Sequence, residues 1–516
     1  MPQVIAKERV ALNPKSKKEK KDKPANKRQH DDKPNLPDVS VRMYCQGLGD
    51  CFLITIPRNN DRPFYMLIDC GVILGTKDSK AVMTSVVANL AEVTREIDVV
   101  VVTHEHWDHV SGFAQAEDEF KKLTVHDVWV AWTENPSDPL ARKLRAERKR
   151  TIGALKNAAM RMQAADPGSE KSLLEVLSFF GPAAALGAAG GQSTEDAMNN
   201  AIALSSKPPR YCRPADDPFV LPELDGVRFY VLGPPQNENR IKRALPTAKG
   251  KETYDTALAL SPETSFMVAA CQGAADASEF QDTSLQELAR PFDAKWDISI
   301  DMAKTLGFFQ DSYFGTPEQP DQKWRGIDTD WLGTAGQLAL QLDSYTNNTS
   351  LVLAIEFIKS KKVLLFAADA QVGNWLSWED QNWNVLENGQ RREVTAEDLL
   401  NRTILYKVGH HGSHNATLRT NGLEQMNSSE LVALIPVNHA MAVQKRWEGM
   451  PFPALMTRLL QKTSGRILRI DDDKVPAEKD PPEGVPATTW KRFQDSVNRS
   501  ADKLYYELSL PEIWNG

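Results

Sequence analysis

Thr103-His104-Glu105-His106-Trp107-Asp108-His109 places three imidazoles and an aspartate within six positions, directly after the four consecutive valines Val99–Val102. An unbroken β-branched run entered through Ile97-Asp98 predicts a strand buried on both faces. In extended backbone, residues two apart project to one side, so His104 and His106 can grip one cation together. Asp108 and His109 precede a helix start expected at Val110–Phe113 and can turn towards a second cation. Imidazole nitrogen with carboxylate oxygen suits zinc, and also manganese or iron. A lone histidine is most often just a polar residue. Burying this many polar groups at the end of a core strand is costly without a cation to pair them.

Outward from this run the chain alternates strand-like and helix-like segments. Val39–Cys45, Cys51–Ile56 and Phe64–Asp69 read as strands, parted by Gly47, Gly49 and Arg58-Asn59-Asn60-Asp61. Ala81–Val93 has helical spacing, and Val125–Trp132 is a further strand. Asp138–Ala165, Ser169–Phe180 and Thr194–Ser205 read as helices, the last two joined by the small-residue stretch 183–191. Val227–Leu232, Ser350–Phe357, Lys362–Ala367, Ile404–Val408, Leu431–Val437 and Tyr505–Leu510 return to strand. Ala396–Arg402 and Ala454–Thr463 are helical. Residues 240–345 lack regular alternation and read as a partly helical insertion. No internal repeat is visible.

The 516 residues carry a net charge of -7, so attraction to a polyanion must come from a local patch or from metal ions. No apolar run approaches the roughly 20 residues needed to span a bilayer, and the Met1 end has no signal-peptide core. Five cysteines (Cys45, Cys51, Cys70, Cys212, Cys271) without a CxxC pair argue against a disulfide framework or zinc finger. These features predict a cytoplasmic protein with reduced thiols. Residues 1–38, with a basic cluster from Lys15 to Arg28, are too poor in large apolar groups to fold and predict a disordered tail.

The His104–His109 run resembles the HxHxDH signature of the metallo-β-lactamase superfamily, and other stretches follow in the family's order. Leu67-Ile68-Asp69-Cys70-Gly71 resembles the strand end that precedes the signature. Gln46-Gly47-Leu48-Gly49-Asp50 is similar to the opening of the subgroup related to the competence protein ComEC, and Asn348-Thr349-Ser350-Leu351-Val352 to one of its strands. Leu364-Leu365-Phe366-Ala367-Ala368-Asp369 resembles "LLxxGD", with Ala368 where glycine is usual. Lys407-Val408-Gly409-His410-His411-Gly412-Ser413 is close to "KVxHHGS". Pro436-Val437-Asn438, Pro453 and Ile470-Asp471 echo the closing segments. The resemblance implies an α/β fold, a four-layer αββα sandwich with two large, partly helical insertions. Segments 39–135, 205–240 and 345–475 would form the domain. Residues 136–204 would be a helical insertion and 241–344 a second. Residues 476–516 would be a C-terminal extension packed on the domain.

By the same resemblance His104 and His106 would bind one metal and Asp108, His109 and His411 the other. Asp369 would bridge them, one carboxylate oxygen facing each cation. Read alone, Asp369 would be a helix N-cap before Ala370–Trp375. Asp108 and His410 are the candidate catalytic residues, His410 as a substrate contact or proton donor. Asp50, Asp69, Lys407, Ser413 and Asn348 would steady ligands or loops or touch substrate. Many family members supply a further histidine to the first metal between the signature and the bridging aspartate. Here the only histidine between His109 and Asp369 is His126, inside a strand candidate and too soon after the signature. The first site is therefore expected to be weak, or completed by another group near Asn348 or Ser350.

Two divalent ions, Zn2+ or else Mn2+, roughly 3.5–4 Å apart would lower the pKa of a shared water and stabilise charge on an acyl or phosphoryl oxygen. Hydrolysis is the expected reaction, with no GxSxG nucleophile motif in the chain. The HHGS-type subgroup resembles phosphodiesterases and nucleases, so a phosphodiester substrate, possibly nucleic acid, leads. Basic Arg142–Arg150, with Lys156 and Arg161, could track a phosphate backbone, or be a solvated helix face. Trp375, Trp378 and Trp383 could stack on bases or pack in the core. The alternatives are a small-molecule acyl, lactam or thioester hydrolase and a non-catalytic scaffold module of a bacterial system. Protein partners are not legible, and no membrane is expected.

Overall fold

The hydrophobic patterning resolves into two β-sheets packed face to face. The structure, a computed structural model, describes residues 38–58, 61–185, 192–244, 298–314 and 335–511 apart from single positions within them, together with Glu252 and Ile513. The tail 1–37, most of the second insertion and the junction 186–191 lie outside the described residues, and so do the expectations placed on them.

The first sheet has eight strands, β1 (Val39–Tyr44), β2 (Cys51–Arg58), β3 (Asp61–Cys70), β4 (Glu96–Val102), β5 (Thr124–Ala131), β6 (Arg210–Cys212), β15 (Val497–Arg499) and β16 (Tyr505–Leu510). Their order is β15-β16-β1-β2-β3-β4-β5-β6. The second has six, β7 (Val227–Gly233), β8 (Val352–Phe357), β9 (Val363–Phe366), β12 (Thr403–Lys407), β13 (Val432–Ile435) and β14 (Ile467–Arg469), ordered β14-β13-β12-β9-β8-β7. Strands β10 (Asn382–Glu387) and β11 (Gln390–Thr395) form a separate hairpin that the sequence reading missed.

Side-chain alternation explains the layering. Phe52, Ile54 and Ile56 of β2 meet Leu353 and Ile355 of β8 and Leu364 and Phe366 of β9 in one core between the sheets. Phe52 and Phe366 touch edge to face across it, ring centroids 5.7 Å apart. The opposite faces are covered too. Leu53, Leu67, Val100 and Val102 pack on the helices Ser79–Val93, Trp107–Gln115 and Thr194–Ile202. Val352, Ala354 and Leu365 pack on helical segments that include 139–165, 335–347 and 453–462. Helix, sheet, sheet, helix is the expected αββα sandwich. Because both faces of each sheet are covered, its strands are near-continuous apolar runs, which is why they were legible.

Two local expectations change. The helix after the signature begins at Trp107, not Val110, so Asp108 and His109 lie in its first turn. The short helix after Asp369 is Val372–Trp375 with Gln371 before it, so Asp369 caps nothing. The last strand, β16, pairs along its full length with β1, from Val39 opposite Leu510 to Tyr44 opposite Tyr505. Among the described residues no helix is long and apolar enough to cross a membrane.

Candidate metal centre

Four strand ends deliver the cluster to the rim where the two sheets meet. β3 ends at Asp69-Cys70, β4 at Val102 before the signature, β9 at Phe366 before Asp369, and β12 at Lys407 before His410 and His411. At these ends Asp69, Ala368, His410 and His411 take φ values of 55°, 47°, 43° and 53°, the left-handed region that costs a non-glycine residue roughly 1–2 kcal/mol. Such conformations gather where surrounding structure holds a functional group in place. Ala368 stands where the family pattern has glycine, and its positive φ is the physical reason for that preference.

Glycines let the backbone close on the signature. A Cβ on Gly71 would lie 2.3 Å from the carbonyl carbon of Asp108. The Asp50 amide donates to Asp108 O at 3.0 Å, and the Gly71 amide to Asp50 O at 3.0 Å. The Gly47–Asp50 loop thus clamps the first turn of the Trp107 helix.

The structure brings His104, His109 and Asp369 together, and likewise Asp108, Asp369 and His411, with the ligand atoms of each group within 4.8 Å of one another. All are buried. His411 Nε2 lies 2.9 Å from Asp108 Oδ2, while its Nδ1 donates to Pro436 O at 2.8 Å. His109 Nε2 lies 3.1 Å from Asp369 Oδ2. Its Nδ1 sits 2.8 Å from Asp69 Oδ2, and the other Asp69 oxygen accepts the Thr103 amide at 2.8 Å. In both imidazoles one nitrogen is anchored by an oxygen and the other faces the cluster, the arrangement that fixes a ligating histidine.

Asp369 departs from the expected two-sided carboxylate. Lys407 Nζ at 3.0 Å and the His410 amide at 2.9 Å both donate to Oδ1, leaving Oδ2 for the cluster. Lys407 also pairs with Asp50. Burial opposes the Lys407 charge, but the two carboxylates raise its pKa above the usual lysine value.

His106 stands in neither group. Its ring is 4.7 Å from that of His104, centroid to centroid, and both its nitrogens lack a hydrogen-bond partner among the described residues. The nearest carboxylate is Asp343, on the helix Ala335–Asn347 inside the expected second insertion. No motif surrounds Asp343, which is why the sequence reading missed it.

His104 Nε2, Asp108 Oδ1, Asp343 Oδ1, Asp369 Oδ2 and His410 Nε2 are likewise buried and without hydrogen bonds. Unpaired buried polar atoms each carry a desolvation penalty, so their convergence needs an occupant. The charge count says which kind. Asp50, Asp69, Asp108, Asp343 and Asp369 are all buried here against one buried ammonium, Lys407. The formal excess of negative charge calls for a cationic partner. The donor set of imidazole and carboxylate fits divalent metal ions.

Without a cation, protons carry part of this balance. Burial works against charge on His109, but Asp369, Asp50, Asp108 and Asp69 push its pKa well above the imidazole value. His411 is raised in the same sense, against burial, by Asp108 and Asp369. Burial lowers His106 to about 3 and His410 to about 4, and holds His104 well below the ordinary value. Burial, with Asp108 and Asp369, raises the Asp343 carboxyl well above its usual range.

His410 is held in a polar bracket. Asn415 Nδ2 donates to Gln371 Oε1 at 2.8 Å, which turns the Gln371 amide nitrogen to His410 Nδ1 at 3.2 Å. Ser413 Oγ lies 3.1 Å from the same Nδ1 and donates to Asn415 at 2.9 Å. With Nδ1 accepting, the His410 proton sits on Nε2, the unpartnered nitrogen.

Other expected site residues are placed elsewhere. Asn348 Nδ2 donates to the carbonyls of Ile241 at 3.0 Å and Arg243 at 2.8 Å, and its Oδ1 accepts from Asn374 N at 3.0 Å. It ties loops together and is not aimed at the cluster. Ser350 Oγ, by contrast, lies 3.4 Å from His104 Nδ1. His126 pairs with Glu96 on the surface at 3.1 Å. Of the basic helix, Arg148 is buried, with Nε 2.7 Å from Glu105, and Lys143 binds Glu238 at 2.8 Å. Arg148 and Lys143 thus hold the insertion onto the signature and onto the short helix after β7. Trp375, Trp378 and Trp383 are core residues of the second sheet's outer face. The aromatic groups that do reach the cluster are Phe179 and Phe180, 5.3 and 5.0 Å from His106 ring to ring. Trp447 stacks on Phe179 at 4.8 Å.

A helix-covered β-sandwich with a buried His/Asp centre at its strand ends defines a metal-binding αββα protein. Residues 47–155 match the family model of the metallo-beta-lactamase superfamily. The match spans β2 to β5, the whole HxHxDH run and the start of the helix that covers it. No curated protein matches the chain. The superfamily domain and the His/Asp cluster together support a metal-dependent hydrolase.

Proposed function

We propose that this protein is a two-metal phosphoesterase acting on a phosphodiester of nucleotide size. One observation carries the reading. Asp369 belongs to both ligand groups, one with His104 and His109 and one with Asp108 and His411, so two cation places share a carboxylate. Bound divalent ions there would supply an activated water and a positive clamp on the attacking and leaving oxygens of an in-line displacement. The similarity of Lys407–Ser413 to the HHGS pattern favours phosphorus over carbon as the centre attacked.

The chain's own groups would divide the work. His104, Asp108, His109, Asp369 and His411 hold the ions. Lys407 orients Asp369, and Asp69 and the Pro436 carbonyl orient His109 and His411. Neutral His410 donates its Nε2 proton in a hydrogen bond to a substrate oxygen and stays near the leaving group. The Phe179, Phe180 and Trp447 cover excludes water. The depth of the cluster under that cover favours a small phosphodiester over a long nucleic acid.

A second reading has its own support. The same aromatic cover suits the apolar part of an acyl, lactam or thioester substrate. The test is a panel on protein loaded with Zn2+ or Mn2+, in which bis-p-nitrophenyl phosphate, labelled DNA and labelled RNA compete with nitrocefin and a glutathione thioester. Cleavage of the acyl compounds alone sinks the phosphoester reading. A scaffold role is addressed by the metal content of the purified protein, since a scaffold has no use for converging unpaired ligands. Asp108→Ala and His109→Ala should each abolish turnover.

A further inference from the structure

The first cation place has an imidazole left over. His106 is fully buried, neither of its nitrogens has a hydrogen-bond partner, and His104 beside it keeps Nε2 unpartnered. Asp343 meets His106 from the helix Ala335–Asn347. It is 6% exposed, and its Oδ1 lies 3.9 Å from His106 Nε2. At that distance the two do not hydrogen-bond. Asp343 Oδ1 has no other partner, and the charged groups that act on it, Asp108 and Asp369, are carboxylates too.

The carboxylate is aimed. Asn347, one helical turn on, donates from Nδ2 to Asp343 Oδ2 at 3.1 Å, and so leaves Oδ1 as the oxygen facing His106. The helix end is pinned in turn. The Leu351 amide donates to Thr103 O at 2.9 Å, at the residue that opens the signature. Asn348 clamps the same turn to the 241–243 segment. Asp343 and His106 therefore stand at opposite ends of one short, braced junction.

We propose that Asp343 is the protein ligand that completes the His104/His106 site, in place of the histidine the family pattern leads one to expect. The inference rests on the metal reading given above. Metal–nitrogen and metal–oxygen bonds of about 2.0–2.2 Å at a tetrahedral angle set the two ligand atoms roughly 3.4 Å apart. The observed gap is closed by a small rotation of either side chain. A carboxylate at this place adds a negative charge that a histidine would not. It makes this place more accepting of a harder, oxygen-preferring divalent ion than a third histidine would.

The experiment is equilibrium dialysis of the full chain with Zn2+ and with Mn2+, followed by elemental analysis and thermal melting, on wild type, Asp343→Asn and Asp343→His. Wild type should take up two equivalents. Asp343→Asn should keep one and bind the second at least about tenfold more weakly. Metal-free Asp343→Asn should melt no lower than metal-free wild type, because an unpaired buried carboxylate is gone while Asn347 keeps a partner. Its metal-induced rise in melting temperature should be smaller. Asp343→His should recover the second Zn2+ but not the second Mn2+. Unchanged uptake and affinity in Asp343→Asn overturns the assignment. So does a variant that melts lower with and without metal at unchanged stoichiometry, the mark of a structural aspartate. If Asp343→Asn does not fold, the His variant makes the same comparison. A wild type that takes up no metal at all overturns the metal reading itself, a failure distinct from that of Asp343.

Discussion

His109 and Asp69 meet at 2.8 Å between Nδ1 and Oδ2, with Asp69 in left-handed backbone at the end of β3 and His109 in the first turn of the following helix. This contact turns Nε2 of His109 towards Asp369. Removing the anchor without touching a ligand, as in Asp69→Asn, should weaken metal binding by about 10–100-fold. Competition with a chromophoric chelator measures it. An affinity equal to wild type would show that Asp69 does not orient the imidazole.

The metal-free protein should lose stability as pH rises above about 6.5. His109 and His411 have folded pKa values raised above the unfolded imidazole value. Their contribution is present below about pH 6.5 and is lost as pH rises through the folded values. His104 and His106 are depressed, His106 to about 3. They stay neutral when folded but take up protons once unfolded, a loss below about pH 6.5 that the raised carboxyls of Asp343 and Glu105 oppose. His106 alone contributes about 1.4 kcal/mol per pH unit there. Melting in EDTA across about pH 6.5 to 9 should trace the decline on the alkaline side. With saturating Zn2+ the alkaline decline should vanish, because cations replace the protons on His109 and His411.

Ala368→Gly should raise stability by about 1 kcal/mol. The native φ of 47° strains alanine by roughly 1–2 kcal/mol, and glycine returns part of that as unfolded-chain entropy. Urea denaturation of both proteins in EDTA resolves the difference.

Gly71→Ala should act in the opposite sense. The new Cβ would fall 2.3 Å from the Asp108 carbonyl carbon, which is backbone and cannot rotate away. A loss of at least about 3 kcal/mol is expected from overpacking, together with loss of bound metal, since Asp108 and His109 must shift. Retention of full metal content would show that the loop does not set the first helical turn.

Phe179→Ala should open the cover over His106 and His410. About 3 kcal/mol of stability should go with the buried ring. EDTA should strip metal faster from the variant, and KM for a bulky phosphodiester should fall relative to a small one. Equal stripping rates would place the entry route elsewhere.

Much of this protein was decided by local sequence. The valine run and the strands around it were legible because both faces of each sheet are buried, so hydrophobicity alone marks them. His104, Asp108, His109, Asp369 and His411 were legible because each lies within a residue or a few of a strand end, where family spacing fixes the order of arrival. Tertiary structure decided the rest, since it rests on contacts between segments far apart in the chain. Lys407 takes one oxygen of Asp369, a choice set by the packing of β9 against β12. Arg148 is spent on Glu105 and the tryptophans on the core, because burial and not composition determines what a side chain faces. Asp343 came from a helix with no motif, brought to His106 across more than two hundred residues. A ligand of that kind leaves no periodicity or spacing to read, since its partner is defined only by the closed fold.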